Sequence, residues 1–370
     1  MAAKKQTNSS IQMTPEKVYR AAKMMIRNKL NLLIVGAPGV AKTAIIEQAA
    51  FDVGFKLLMF HPVISDPTDF KGMPAIMKIE YTEEERKEID THGEHTRFLA
   101  QFVPFSNLKS LLTATTPTVA FADDLGQAPA MVQAAWMQLV LARRLDDKIV
   151  SDNITFVSAS NRKEDKAGVQ GILEPLKSRF KSIIELVPDH EQWLKWASKN
   201  GGLKKGTPIH PYVRAFVKAR GAKHMFNFAP TNDMTNSVCP RTVHSVSDIM
   251  WARPDVDLRY GLVSGAIGGD WATEFEAFIK IAANLPKISA IIKTPDKCPV
   301  PSNDNVSVQY AIIETMIDAV QKKTLAPMLT YVSKFKPEFQ QWFISQLKDL
   351  KPDVLTNAAY PKWAAKHGIK

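Results

Sequence analysis

The stretch "IVGAPGVAKTAI" (34–45) decides how the rest of the chain is read. It nearly spells GxxxxGK[ST], the pattern of a phosphate-binding loop, but Ala41 stands where the pattern has its second Gly. To its left, "NLLIV" (31–35) is a short apolar run with the character of a buried strand. To its right, "AKTAIIEQAAFDV" (41–53) has helical spacing. Strand, Gly/Pro turn and helix in that order are the context a phosphate loop requires. The turn of Gly36, Ala37, Pro38, Gly39, Val40 and Ala41 would aim backbone N–H groups and the positive end of the helix at phosphate oxygens. Lys42 would reach the β/γ oxygens, and the Thr43 hydroxyl would hold Mg²⁺. Ala at position 41 is expected to cost little, on the condition that its φ is negative.

Further apolar runs follow at "FKLLMF" (55–60), "TVAFA" (118–122) and "ITFVSA" (154–159), with helix-like stretches such as "APAMVQAAWMQLVLARRL" between them. Strands alternating with helices predict a parallel sheet sandwiched by helices, with ligands at the carboxyl ends of its strands. Two of those ends carry chemistry. "TVAFADD" closes on two carboxylates, Asp123 suited to Mg²⁺ or its water shell and Asp124 to orienting an attacking water. "ITFVSASN" closes on Asn161, whose amide could polarise the water or the γ-phosphate. Farther on, Arg179 in "LEPLKSRF" and Arg241 in "CPRTVHSVSDIM" could stabilise growing phosphate charge through their guanidinium forks.

From about residue 188 the pattern turns mainly helical, as in "DHEQWLKWASKN" and "VSVQYAIIETMIDAVQKK", the latter with Val308, Ile312, Met316 and Val320 on one face. "TPDKCPVPSND" (294–304), with three prolines, reads as a linker between helices. The expected division is 1–188 for an α/β nucleotide-binding domain, 189–293 for a helical lid, and 294–370 for a linker and helical extension. Between the second and third strands, "KIEYTEEERKEIDTHGEHTRF" is a charge-rich insert. His92 and His95 within it match no strong metal-ligand spacing, and a solvated excursion is expected. His210, His224 and His244 are expected to be structural.

The 370 residues carry a formal charge of +11, of which about +9 falls on residues 191–370, with 24 Lys+Arg there against 15 Asp+Glu. Such an excess could serve nucleic acid or an acidic partner, but it lacks the Arg/aromatic alternation of a nucleic-acid platform. Two cysteines, Cys239 and Cys298, exclude a disulfide framework or a zinc cluster and fit a reducing cytoplasm. No apolar run is long enough for a membrane helix, and the start "MAAKKQTNSS" is polar where a signal peptide would turn apolar, so a cytoplasmic location is expected. HExxH and GxSxG motifs are absent.

Taken together, "GAPGVAKT", "DDLGQAPAMVQAAWMQLVLARR", "SASN", "SRF" and "PRT" in this order resemble the AAA+ ATPases, specifically their MoxR-type branch, over residues 14 to 280 or so. "VSGAIGGDWATEFEAFI" is similar to bacterial and phage relatives of that branch. The branch has Ala before the Lys, which makes Ala41 an expected variant. By this resemblance Lys42 and Thr43 are Walker A residues, Asp123 and Asp124 Walker B, and Asn161 sensor 1. Arg241 is sensor 2 acting in cis, and Arg179 is an arginine finger for a neighbouring subunit. The insert at 74–105 corresponds to a β-hairpin aimed at a substrate or pore. The resemblance implies ATP and Mg²⁺ as cofactors, a hexameric ring, ATP hydrolysis coupled to remodelling of a partner protein, and a partner carrying a von Willebrand A domain. The family usually has Asp-Glu where this chain has Asp123-Asp124. The shorter carboxylate would hold a water about 1.5 Å farther back unless the backbone compensates, which leaves slow hydrolysis by a nucleotide-gated scaffold as one alternative. The other is a nucleic-acid motor or loader that uses the basic run "KKGTPIHPYVRAFVKARGAKH".

Overall fold

The computed structural model describes residues 11–88, 96–145, 148–165, 168, 171–202, 206–230 and 234–368. The chain divides into two compact units, Met1–Val187 and Pro188–Lys370. His92 and His95 lie outside the described residues.

In the first unit the strands run β1 (Gln12–Met13), β2 (Leu32–Val35), β3 (Lys56–Phe60), β4 (Met73–Glu80), β5 (Thr96–Val103), β6 (Thr118–Ala122), β7 (Arg144–Leu145), β8 (Lys148–Ile149), β9 (Ile154–Ser160) and β10 (Ser182–Leu186). Six of them form one sheet in the order β1-β10-β2-β9-β6-β3. Every pairing in it is parallel. All residues of β6 and β9 are buried, as a sheet covered on both faces demands of its central strands. This is the predicted α/β sandwich, with two strands that the apolar runs did not mark, β1 and β10.

Helix Ala130–Ala142 fastens onto one face through Trp136. Its indole is fully buried with ring centroids 5.2, 5.7 and 5.4 Å from Phe60, Phe70 and Phe156, and its N–H donates to Ser158 Oγ at 3.2 Å. Gln133, also buried, donates to the carbonyls of Ala128 and Gly171 and accepts from Leu173 N–H, which ties this helix to the segment leading to Arg179. The insert carries an antiparallel ladder, β4 with β5, Met73 opposite Val103 through Glu80 opposite Thr96. Side chains on both faces of this ladder are exposed, including Ile76, Phe98 and Phe102 on one face and Met73, Met77 and Leu99 on the other. The insert is therefore more apolar at its surface than its run of charges suggested.

The second unit is helical around two cores that share one helix, Val306–Ala319. Val308 and Ala311 belong to the first core, and Ile312, Ile313, Met316 and Ile317 to the second. The helix is buried around most of its circumference, Gln309 and Glu314 included, rather than along the single face expected from its period. Packing on two sides is the reason. The proline-containing segment before it is pinned: Lys334 Nζ donates to the carbonyls of Pro295, Asp296 and Cys298, and Tyr331 Oη to that of Pro299. Among the described residues no helix is long and apolar enough to cross a membrane.

Candidate functional site

Because β2, β9 and β6 are adjacent and parallel, the segments leaving their carboxyl ends converge. The first is Gly36–Ala41, followed by helix Lys42–Asp52. Gly36 is required by close approach rather than by φ, since a Cβ there would lie 2.9 Å from the Leu186 carbonyl oxygen. Gly39 has φ 73°, a conformation Gly adopts at no steric cost. Ala41 is also left-handed, with φ 72° and ψ 30°, so the condition under which alanine would cost little there is not met. The turn has to reverse direction immediately before the helix, and an L-residue there costs roughly 1–2 kcal/mol.

Lys42, 7% exposed, donates to the carbonyls of Gly36 and Ala37 at 3.0 Å each and to Asn161 Oδ1 at 2.6 Å. Thr43 Oγ1 donates to Asp123 Oδ2 at 2.6 Å. The other Asp123 oxygen accepts from the Asp124 backbone N–H at 3.0 Å, and the Asp123 N–H donates to the Phe60 carbonyl. Asp124 is left-handed, φ 53° and ψ 33°, a region that Asp enters more readily than most side chains. Its Oδ1 accepts from Asn161 Nδ2 at 2.9 Å. The structure thus brings Lys42, Thr43, Asp123, Asp124 and Asn161 into one hydrogen-bonded group at the mouth of the loop.

Within the first unit, one predicted residue is not brought there. Arg179 sits at the amino ends of the strands, where its carbonyl accepts from Asn31 Nδ2 and the Lys181 N–H donates to the Asn31 carbonyl. Asn31 enters β2, whereas the loop leaves it, so the four-residue strand separates them by about 10 Å or more. Arg179 Nε is buried and meets no acceptor among the described residues. Arg241 belongs to the second unit, exposed in the first turn of helix Pro240–Trp251. His210 caps helix Pro211–Arg220, its Nδ1 accepting from the Tyr212 N–H, and burial together with the charges of Arg214 and Arg253 lowers its pKa to about 4.

One group beside the site went unread in the sequence. Arg162, next to Asn161, forks onto Asp165 at 2.9 and 2.7 Å and reaches Glu185 Oε1 at 3.2 Å. These hydrogen bonds, that to Asp165 foremost, raise its pKa further. Arg162 and Asp165 stand three residues apart, the only local trace of this pairing in the sequence.

The donor set suits a hard divalent cation. Thr43 and Asp123 offer adjacent oxygens, and Mg²⁺ takes few protein ligands beside phosphate and water oxygens. Among the described residues no cluster of three or more His, Cys, Asp or Glu could hold a metal by itself.

No protein-family model matches the sequence, and no curated protein does. Among solved structures, the chain is similar to a mutant of RuvB from Thermotoga maritima, at 14% identity over 84% of this chain and 85% of that one, with a TM-score of 0.38. It is similar to NtrX from Brucella abortus in complex with ADP, at 11% identity over 95% and 68% of the two chains, TM-score 0.40. It is also similar to a putative ATPase from Cytophaga hutchinsonii, at 13% identity over 93% and 79%, TM-score 0.34. All three similarities are distant, and the function proposed below rests on this chain's own residues.

Proposed function

We propose that this chain is a MoxR-type AAA+ ATPase, a ring-forming enzyme that binds and hydrolyses ATP in the cytoplasm and uses the cycle to remodel a partner protein. The observation that carries the reading is the hydrogen-bonded group running from Thr43 through Asp123 and Asp124 to Asn161 and Lys42 at the mouth of a Gly-containing loop.

In this reading the loop amides and Lys42 bind the phosphates, and Lys42 exchanges its carbonyl acceptors for phosphate oxygens. Mg²⁺, held by Thr43 and Asp123, would neutralise charge on the β- and γ-phosphates. Asp124 orients the water that attacks the γ-phosphorus, and the bond to the bridging oxygen breaks to release ADP. Asn161 holds Asp124 and Lys42 in register. Arg179, at the amino ends of the strands of its own sheet, supplies charge to the site of the next subunit in a hexamer. Residues 189–293 act as the lid that presents Arg241, and 294–370 as a helical extension. The insert hairpin contacts the client, and a von Willebrand A domain is the proposed partner module.

The test is ATP turnover against protein concentration, with and without DNA. Turnover per subunit should rise cooperatively and ignore DNA. Lys42→Ala should remove binding and lower turnover roughly a hundredfold or more, and Arg179→Ala should lower turnover while sparing ATP binding. DNA stimulation would replace the remodeller with a motor on nucleic acid. Failure of the wild-type chain to bind ATP would end the reading altogether.

A further inference from the structure

The Arg162 group has a geometry that the nucleotide site does not by itself require. Val35, the last residue of β2, is paired on one side with Ser160 of β9 and on the other with Glu185 of β10. Arg162 leaves β9 two residues after Ser160, and its Nη1 bonds Glu185 on the far side of β2. Neighbouring strands are about 4.8 Å apart, so the contact spans two strand spacings, a distance that the Arg162 and Glu185 side chains bridge together. It crosses over the strand that launches the phosphate loop. The second oxygen of Glu185 accepts from Gln12 of β1 at 3.1 Å, so the span continues to the edge of the sheet.

The same guanidinium staples its own turn. Asp165, 4% exposed, accepts the Arg162 fork and the Arg162 backbone N–H at 3.2 Å, while its own N–H donates to the Arg162 carbonyl. Asn161 is the residue immediately before this staple. Its amide is used at both ends, accepting from Lys42 and donating to Asp124, so it has little rotational slack. A shift of the β9 exit by a few tenths of an ångström would loosen one of those bonds.

We propose that Arg162 is a positioning residue for Asn161: by clamping Asp165 and reaching Glu185 across the loop-bearing strand, it fixes the exit of β9 so that the Asn161 amide stays between Lys42 and Asp124. The inference rests on the nucleotide reading above. Arg162 touches no reacting atom. It acts through Asn161, and its effect belongs to the chemical step rather than to ATP affinity. Lysine at this position keeps the charge but not the fork, so it holds either Asp165 or Glu185 and not both.

The experiment is a double-mutant cycle on the full chain, with single-turnover ATP hydrolysis and binding of a fluorescent ATP analogue as readouts. Arg162→Gln should lower the hydrolysis rate constant roughly tenfold to a hundredfold, while the analogue's dissociation constant changes by less than about threefold. In an Asn161→Ala background the same substitution should cost nothing further. Arg162→Lys should fall between wild type and Arg162→Gln. Glu185→Gln, which spares the Asp165 fork and is gentler on folding, should give a smaller loss that also vanishes without Asn161. Equal losses in both backgrounds, an unchanged rate, or a weakening of analogue binding beyond tenfold would each overturn the proposal. Absence of analogue binding by the wild-type chain is a different failure, since it removes the nucleotide reading itself.

Discussion

The first unit gathers charged groups at the ends of its strands, and the second shuts them inside its helices. At the loop, Lys42 is held by two carbonyls and an amide oxygen, acceptors that phosphate oxygens can displace, beside two left-handed residues, Ala41 in the loop itself and Asp124 in the turn after β6. In the helical unit, Arg214 has no exposure and Glu314 has 2%. Arg214 Nη2 lies 3.2 Å from Glu314 Oε2 and 2.8 Å from both oxygens of Asp318, while Trp342 donates to Glu314 Oε1 at 2.9 Å. Burial, despite the nearby arginine, raises the Glu314 pKa. The first arrangement is strained and exchangeable, as a ligand site must be. The second is enclosed and joins helix Pro211–Arg220 to the helix shared by both cores, as an architectural tie must be.

The largest expected effect tests the enclosed arrangement. Arg214→Ala leaves Glu314 buried without its cation and should destabilise the protein by about 3–5 kcal/mol in chemical denaturation. Arg214→Met combined with Glu314→Leu should recover most of that loss. If Arg214→Ala costs under about 1 kcal/mol, the tie is not architectural and the contrast with the loop fails.

A pH dependence should separate the units next. His210 is neutral in the folded state down to about pH 4, whereas its ordinary pKa is 6.5. The unfolded chain therefore binds a proton that the folded chain refuses, and stability present above about pH 6.5 is lost as the pH falls toward 4. His210→Asn keeps a capping side chain without the titration, so its unfolding midpoint should be flatter across that window. An equal slope in the variant would assign the acid sensitivity to other groups.

The smallest effect tests the strain at the loop. Ala41→Gly should stabilise the first unit by up to about 1 kcal/mol, because the left-handed conformation costs Gly nothing sterically while Gly adds unfolded-state entropy. A calorimetric midpoint that falls would mean the turn is not strained at Ala41.

Much of the site was legible because its parts are local. Strand, turn and helix around Gly36–Thr43 follow one another in the chain, and Asp123, Asp124 and Asn161 each close an apolar run that ends at the same edge of a parallel sheet. The φ of Ala41 was not legible, since alanine carries no mark of a left-handed turn. Neither were β1, too short at two residues for any period, and β10, whose "SIIEL" follows "SRFK" without turn residues to set it off.

Sequence alone determined which segments are strands at the centre of the sheet, where the loop lies, and which side chains stand at strand ends, because periodicity and turn chemistry act over a few residues. Only the tertiary structure decided that β9 lies between β2 and β6, which sets Asn161 between Lys42 and Asp124. It also decided that Arg162 finds Glu185, 23 positions away, and that Arg214 finds Asp318, 104 positions away. Parallel strands are joined by crossovers and helices pack by their faces, so these partners are set by the arrangement of whole elements, and no local pattern in the chain records it.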